Sequence, residues 1–176
     1  MTGLFLSTTL DLPLKARRAG TFLRRVPLYA LFTSLLACGS AEDAQSLFDA
    51  GHFQRSLVLA REAAEQDHPE AANLVGIHYY LGAGVERDFA EAGRWFERAA
   101  LRGNASAQRN LATLYLRGLG VKQDDFLAYA WFTEAGERGN PRAFRYLALM
   151  GDALTPSEMV RARKVLKAEL DKRQPD

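Results

Sequence analysis

Residues 71–104 read AANLVGIHYYLGAGVERDFAEAGRWFERAALRGN, and residues 107–140 read AQRNLATLYLRGLGVKQDDFLAYAWFTEAGERGN. Laid over each other without a gap, 36 residues apart, they share Tyr79/Tyr115, Gly82/Gly118, Gly84/Gly120, Val85/Val121 and Asp88/Asp124. The identities continue through Ala92/Ala128, Trp95/Trp131, Phe96/Phe132, Ala99/Ala135, Gly103/Gly139 and Asn104/Asn140. So many rare residues in register mark an internal repeat. A repeat of this period sets the architecture before any single element is read.

Each unit parses as helix, loop, helix. Val75, Gly76 and Tyr79 fall on one face of a first helix. Gly76, and Ala112 after it, let a facing helix approach closely. Gly82 to Val85 supply backbone conformations that residues with a Cβ resist. Asp88 is suited to cap the next helix, because its carboxylate accepts from the free N–H groups there. Ala92, Trp95, Phe96 and Ala99 form the buried stripe of that second helix. Gly103-Asn104 ends it as a left-handed pair. Trp95 and Trp131 are expected in the core, since each holds the same inward position.

The pattern resembles the Sel1-like repeat (SLR) family, a relative of the tetratricopeptide repeat. That family shows Ala…Leu-Gly-x-x-Tyr, then Gly-x-Gly-Val-x-x-Asp, then Ala-x-x-Trp, Ala-Ala and Gly. The first unit follows it with Val75 in place of Leu. The second carries Ala112 for Gly and Gly136 for the second Ala. The resemblance implies an all-α fold, a right-handed solenoid of antiparallel helix pairs, with repeats at 71–104 and 105–140. Upstream, residues 41–68 are expected to form a shorter, tetratricopeptide-like helix pair around Gly51. Downstream, residues 141–172 begin as a first helix but lack the Gly-x-Gly-Val loop. Thr155-Pro156-Ser157-Glu158 then signals a capping box with Pro at the first helical position. A charged C-terminal helix is expected to close an array of about four pairs.

Composition narrows the function classes. The 176 residues are 48% hydrophobic and 25% charged, which is globular and not disordered. The formal net charge is +2, yet residues 1–38 hold five basic residues against Asp11 alone. Beyond them stand 18 basic and 20 acidic residues, so the basic character gives no argument for nucleic acid. Cys38 is the single cysteine, which excludes an internal disulfide and a Cys-ligated zinc site within the chain.

Residues 1–38 read as an export leader. A cationic stretch at 15–25 precedes an uncharged apolar run, Val26–Ala37, too short to span a bilayer as a helix. Leu35-Leu36-Ala37-Cys38 is similar to a bacterial lipobox, which implies acylation of Cys38, although Leu36 is bulkier than the usual residue. Cleavage after Ala41 is the alternative. The basic segment is long for such a leader, and a start nearer the basic cluster stays open. The expected location is the periplasm, with a possible lipid anchor to the outer membrane. Membrane contact is expected only through that anchor.

No catalytic, cofactor or metal site is expected. The Gly-x-Gly loops lack a preceding strand and a Lys-Ser/Thr pair, so they are repeat turns and not phosphate cradles. His52, His68 and His78 are never three or four residues apart; His68 reads as loop surface and His78 as helix surface. Partner-binding candidates lie instead on the exposed stripe of the first helices, which lines the concave side of such stacks. That stripe gives Glu70, Asn73, Ile77, Tyr80 and Leu81, then Ser106, Arg109, Thr113, Leu116 and Arg117, then Arg142, Arg145 and Leu149. The expected occupant is an extended peptide with an acidic or carboxylate end, held by arginine forks. Surface charge without a binding role is the competing reading of these arginines.

The function expected is a non-enzymatic scaffold for a protein or peptide partner, monomeric or partner-bound. Two alternatives stand beside it. Some SLR relatives are credited with acting on β-lactam or cell-wall compounds, but they carry a Cys pair in each repeat, which this chain lacks. A peptidoglycan- or glycan-binding module, using Tyr80 and the groove, is the other.

Overall fold

The computed structural model describes residues 41–151 and 153–173. Every regular element among them is helical. Residues 41–49 belong to α1; then come α2 (Phe53–Glu65), α3 (Pro69–Leu81) and α4 (Phe89–Leu101). The chain continues through α5 (Ala105–Arg117), α6 (Asp125–Glu137), α7 (Pro141–Leu149) and α8 (Pro156–Arg173). Helices α3 and α4 pack as one pair, α5 and α6 as the next, and each pair leans on its sequence neighbours. The fold is an α-solenoid, in which each unit is stabilised through its neighbours.

The loops show why the glycines recur. Gly82 and Gly118 end α3 and α5 in the left-handed region, at φ +72° and +65°. Gly84 and Gly120 follow, also left-handed, and both lie against the preceding unit. A Cβ at Gly84 would sit 2.8 Å from the backbone of Phe53 and Gln54, where α2 begins. A Cβ at Gly120 would sit 2.3 Å from the carbonyl carbon of Phe89, where α4 begins. The loop is therefore an inter-unit joint, and only glycine fits it.

Caps fix the helix starts. Asp88 accepts from the backbone N–H groups of Ala90 and Glu91 at 2.9 Å, and Asp124 accepts from Leu127 at 2.9 Å. Asn104 and Asn140 cap α5 and α7 in the same way. The Asn140 side chain also donates to the Ala105 carbonyl at 3.2 Å, tying one unit to the next. Inside the pair, Gly76 faces Phe96 so closely that a Cβ would lie 2.5 Å from the ring. Phe96 and Phe132, 36 residues apart, are buried.

The upstream pair is closer to its neighbours than its sequence suggests. Helix α2 starts 36 residues before α4 and has the same 13-residue length. Ala63 and Ala64 are buried like Ala99 and Ala100. Asp67 adopts φ +63°, in the place of Gly103 and Gly139. Its carboxylate accepts from Arg102 at 3.0 Å and Arg98 at 3.3 Å, which holds its pKa below the ordinary aspartate range. Only the α1–α2 turn is shorter, because it lacks the Gly-x-Gly-Val segment.

Three expectations are corrected. Helices α7 and α8 do not form a fourth pair: α8 packs against α6 and buries Ala162, Leu166 and Leu170. Without a second helix beside it, α7 leaves Phe144 56% exposed, whereas its equivalents Ala72 and Gln108 are buried. Trp131 is core, but Trp95 is only partly buried; its Nε1 donates to Glu91 at 3.0 Å, and Arg98 lies over the ring. The reason is coverage, since α6 packs against α5, α7 and α8, while the main neighbours of α4 among the described residues are α3 and α5. His78 is fully buried rather than on the surface.

The expected capping box is formed. Thr155 Oγ1 donates to Glu158, the backbone N–H of Thr155 does the same, and the Glu158 N–H turns back to Thr155. These bonds hold the Glu158 carboxyl below its ordinary range.

Candidate functional site

A cleft of about 330 Å³ opens between α5 and α7, lined by Arg109, Arg142, Arg145, Tyr146 and Leu149. Helix α5 brings one arginine from its first half, and α7 brings two from its first two turns. The spacing of Arg142, Arg145 and Leu149 keeps all three on one side of α7. Tyr146 is fixed from behind, stacked on Phe132 at 4.6 Å with the rings 6° apart. Leu149 is 83% exposed, an unusual position for a leucine in a helix that ends at the next residue.

The electrostatics are one-sided. None of the three arginines shares an ion pair with a carboxylate among the described residues. Arg109 is half-buried, and burial lowers its affinity for the proton, with Arg142 adding repulsion. Its Nε is sealed from solvent and meets no acceptor. Three cations gathered without a carboxylate among the described residues repel one another, and an anion in the cleft would offset that repulsion.

The remaining stripe residues fall elsewhere. Asn73 accepts from Asn110 at 2.9 Å, so it bridges α3 to α5. Ile77 packs partly on the core. Tyr80 turns to the start of α4, its ring 5.3 Å from Phe89 and 6.5 Å from Phe96. Leu81 stays exposed at the end of α3. Arg117 is exposed at the end of α5 and does not line the cleft.

Thr113, expected in the groove, is instead only 9% exposed. Its hydroxyl donates to the Arg109 carbonyl at 2.9 Å, the habitual back-bond of a threonine inside a helix. Tyr146 was absent from the expected stripe; its equivalents Leu74 and Asn110 gave no aromatic signal.

A Ser–His contact also exists. Ser56 Oγ lies 3.0 Å from His78 Nε2, and His78 Nδ1 lies 2.7 Å from the Ala83 carbonyl. Both residues are fully buried, so no substrate reaches the hydroxyl. No cluster of His, Cys, Asp and Glu among the described residues would hold a metal ion. No helix among them is long and apolar enough to cross a membrane. Cys38 and the export leader expected at 1–38 lie outside the described residues.

Comparison with known proteins fits this architecture. Residues 69–104 and 105–140 each match the Sel1 repeat. A stretch of 63 residues is 40% identical to the ERAD-associated E3 ubiquitin-protein ligase component HRD3A of Arabidopsis thaliana, covering 36% of this chain and 9% of that protein. The structure is similar to that of a Sel1 repeat protein from Oxalobacter formigenes, at 29% identity and a TM-score of 0.60, over 63% of this chain and 44% of the other. It shares its fold with a protective antigen of uropathogenic Escherichia coli displaying an SLR fold, at 24% identity and a TM-score of 0.70. That likeness spans 80% of this chain and 33% of the antigen. The chain thus spans less than half the length of each of these relatives.

Proposed function

Because residues 69–140 are two Sel1 repeats, in a family whose members generally mediate protein–protein interaction and are typically non-catalytic, we propose that this chain is a scaffold that binds a protein partner along its concave side. The observation that supports this reading most is the cleft of Arg109, Arg142 and Arg145, three cations that pair with no carboxylate among the described residues. Charges kept apart from their own acids favour encounter with an anionic surface. The partner reached by such a surface is an acidic protein segment.

The place of action we propose is the bacterial envelope. The leader at 1–38 and the Leu-Leu-Ala-Cys sequence at 35–38 support export and acylation at Cys38. Two acyl chains would anchor the scaffold firmly, since membrane affinity grows by about 0.8 kcal/mol per buried methylene.

A photo-crosslinking side chain placed at Arg142 in the full chain, within intact cells, tests the scaffold. Adducts at Arg142, and none from the same group at Lys172 on the outer side of α8, are expected. Equal adducts at both positions, or none at either, would remove the concave side as the binding face. Palmitate labelling of wild type and Cys38→Ala tests the anchor separately; label that persists in the variant would exclude it.

A further inference from the structure

We propose that the α5–α7 cleft is an end-stop that receives the free C-terminal carboxylate of an extended peptide whose last side chain is apolar. This deepens the scaffold reading and rests on it. Three features of the cleft meet in the proposal.

The first is charge. Arg109 lines the cleft with a half-buried guanidinium whose Nε is sealed and which has no ion pair among the described residues. Arg142 and Arg145 approach from α7, exposed and without ion pairs among the described residues. A planar guanidinium takes both oxygens of one carboxylate in a fork.

The second is the apolar surface beside the charge. Tyr146 and Leu149 lie on the same wall as the arginines. The Tyr146 ring is held by Phe132, so it offers a rigid surface. Leu149, largely exposed, gains from cover by a second apolar side chain. An α-carboxylate and the side chain of the same residue are joined at one Cα, which places them a few ångströms apart, as the wall requires. A buried aspartate or glutamate mid-chain offers the charge without the adjacent apolar group.

The third is position. The first helices of the units run α3, α5, α7, and the next described helix, α8, packs on α6. A chain lying along them meets the cluster of Arg109, Arg142 and Arg145 at the α5–α7 step. Its carboxyl end therefore sits at α7, and its body runs back over the Asn73–Asn110 bridge toward Leu81. Packed helices stand about 10 Å apart, so two steps are about 20 Å. An extended chain covers that in about six residues.

The experiment uses hexapeptide pools randomised at all six positions, made with a free carboxyl end and, separately, as the amide. Each is passed over the immobilised full chain, and retained peptides are read by mass spectrometry. The free-acid pool is expected to be retained at least tenfold over the amide pool, with Leu, Ile, Val, Met or Phe enriched at the last position. Retention should fall at least tenfold in Arg109→Met and in Arg145→Met; the second is an exposed residue whose loss leaves the core intact.

Equal retention of acid and amide, or an unbiased last position, overturns the proposal while leaving a concave-side scaffold standing. Displacement of the retained pool by millimolar inorganic phosphate and acetate alike marks a bare anion site and also overturns it. Retention of neither pool overturns it too, and the cellular cross-link at Arg142 then decides the scaffold reading by itself.

Discussion

Ser56 and His78 meet at 3.0 Å in the core between α2 and α3, at the places that Ala92 and Leu114 fill one period later. Ser56 Oγ is also 2.7 Å from the Ala44 carbonyl, and His78 Nδ1 faces the Ala83 carbonyl. With the imidazole neutral, Nδ1–H donates to Ala83, and the single hydroxyl proton is shared between two acceptors. Protonation would supply the missing hydrogen, but burial opposes it. Desolvation is the largest influence and lowers the affinity of His78 for the proton; the Ala83 carbonyl opposes that, and Arg61 adds repulsion.

A pH dependence follows from that direction. The folded state binds the His78 proton less readily than the unfolded chain, whose imidazole titrates near 6.5. Above that value both states are neutral and nothing is lost. As pH falls below it, the unfolded chain takes up the proton first, and stability declines until the folded imidazole also titrates. Urea midpoints at pH 7.5 and pH 5.5 should drop more for wild type than for the double variant Ser56→Ala, His78→Leu. An unchanged drop would assign the acid sensitivity elsewhere.

The same double variant should be at least as stable as wild type at pH 7.5. It rebuilds the Ala92–Leu114 arrangement and removes a polar pair whose net contribution is about 1 kcal/mol. His78→Leu alone leaves Ser56 its bond to Ala44 and should fall between the two. A loss of more than about 2 kcal/mol in the double variant would mean that this site cannot accept the packing of the next unit.

Two glycines with the same φ sign should respond differently. Gly120→Ala adds left-handed strain and drives a Cβ into the backbone of Phe89 and Ala90. Gly139→Ala, at φ +88° with open space around it, adds only the strain, about 1–2 kcal/mol. Equilibrium unfolding should show the first variant at least twice as destabilised. Equal losses would separate the loop from its joint with α4.

Asp124 caps α6 through one 2.9 Å bond. Asp124→Ala should cost about 1 kcal/mol, and Asp124→Asn, which keeps an acceptor, a few tenths. Urea unfolding of both variants checks the ordering, and equal losses would point to charge and not to the hydrogen bond.

Arg109→Met should leave the melting temperature unchanged or raise it, since it removes a half-buried cation with a sealed, unpaired Nε and keeps the aliphatic stem. A lowered melting temperature would show that the guanidinium supports the fold and is not reserved for a ligand.

The period made most of the fold legible. Gly82, Gly84 and Asp88 recur at Gly118, Gly120 and Asp124, and each does the same physical work twice. The helix around His78 does not by itself mark the position as buried; Leu114, 36 residues on, marks it as core. Asp67 likewise hid a left-handed turn that glycine would have announced. The course of α8 could not be read, because its buried stripe, Ala162, Leu166 and Leu170, fits any apolar partner, and nothing local chooses α6 over α7. At the candidate site, the arginines were visible as non-repeating cations. Their gathering was not, because it depends on how α7 leans on α6.

Because α8 packs on α6, the C-terminal helix measures no distance and counts no units. It checks the identity of a single neighbour. A copy of residues 105–140 spliced in after Asn140 would present α8 with the same surface it meets now. Array length in this chain is therefore a quantity that gene duplication can change by whole units without redesigning the terminus, while the arginine-lined α7 would travel outward with the cap.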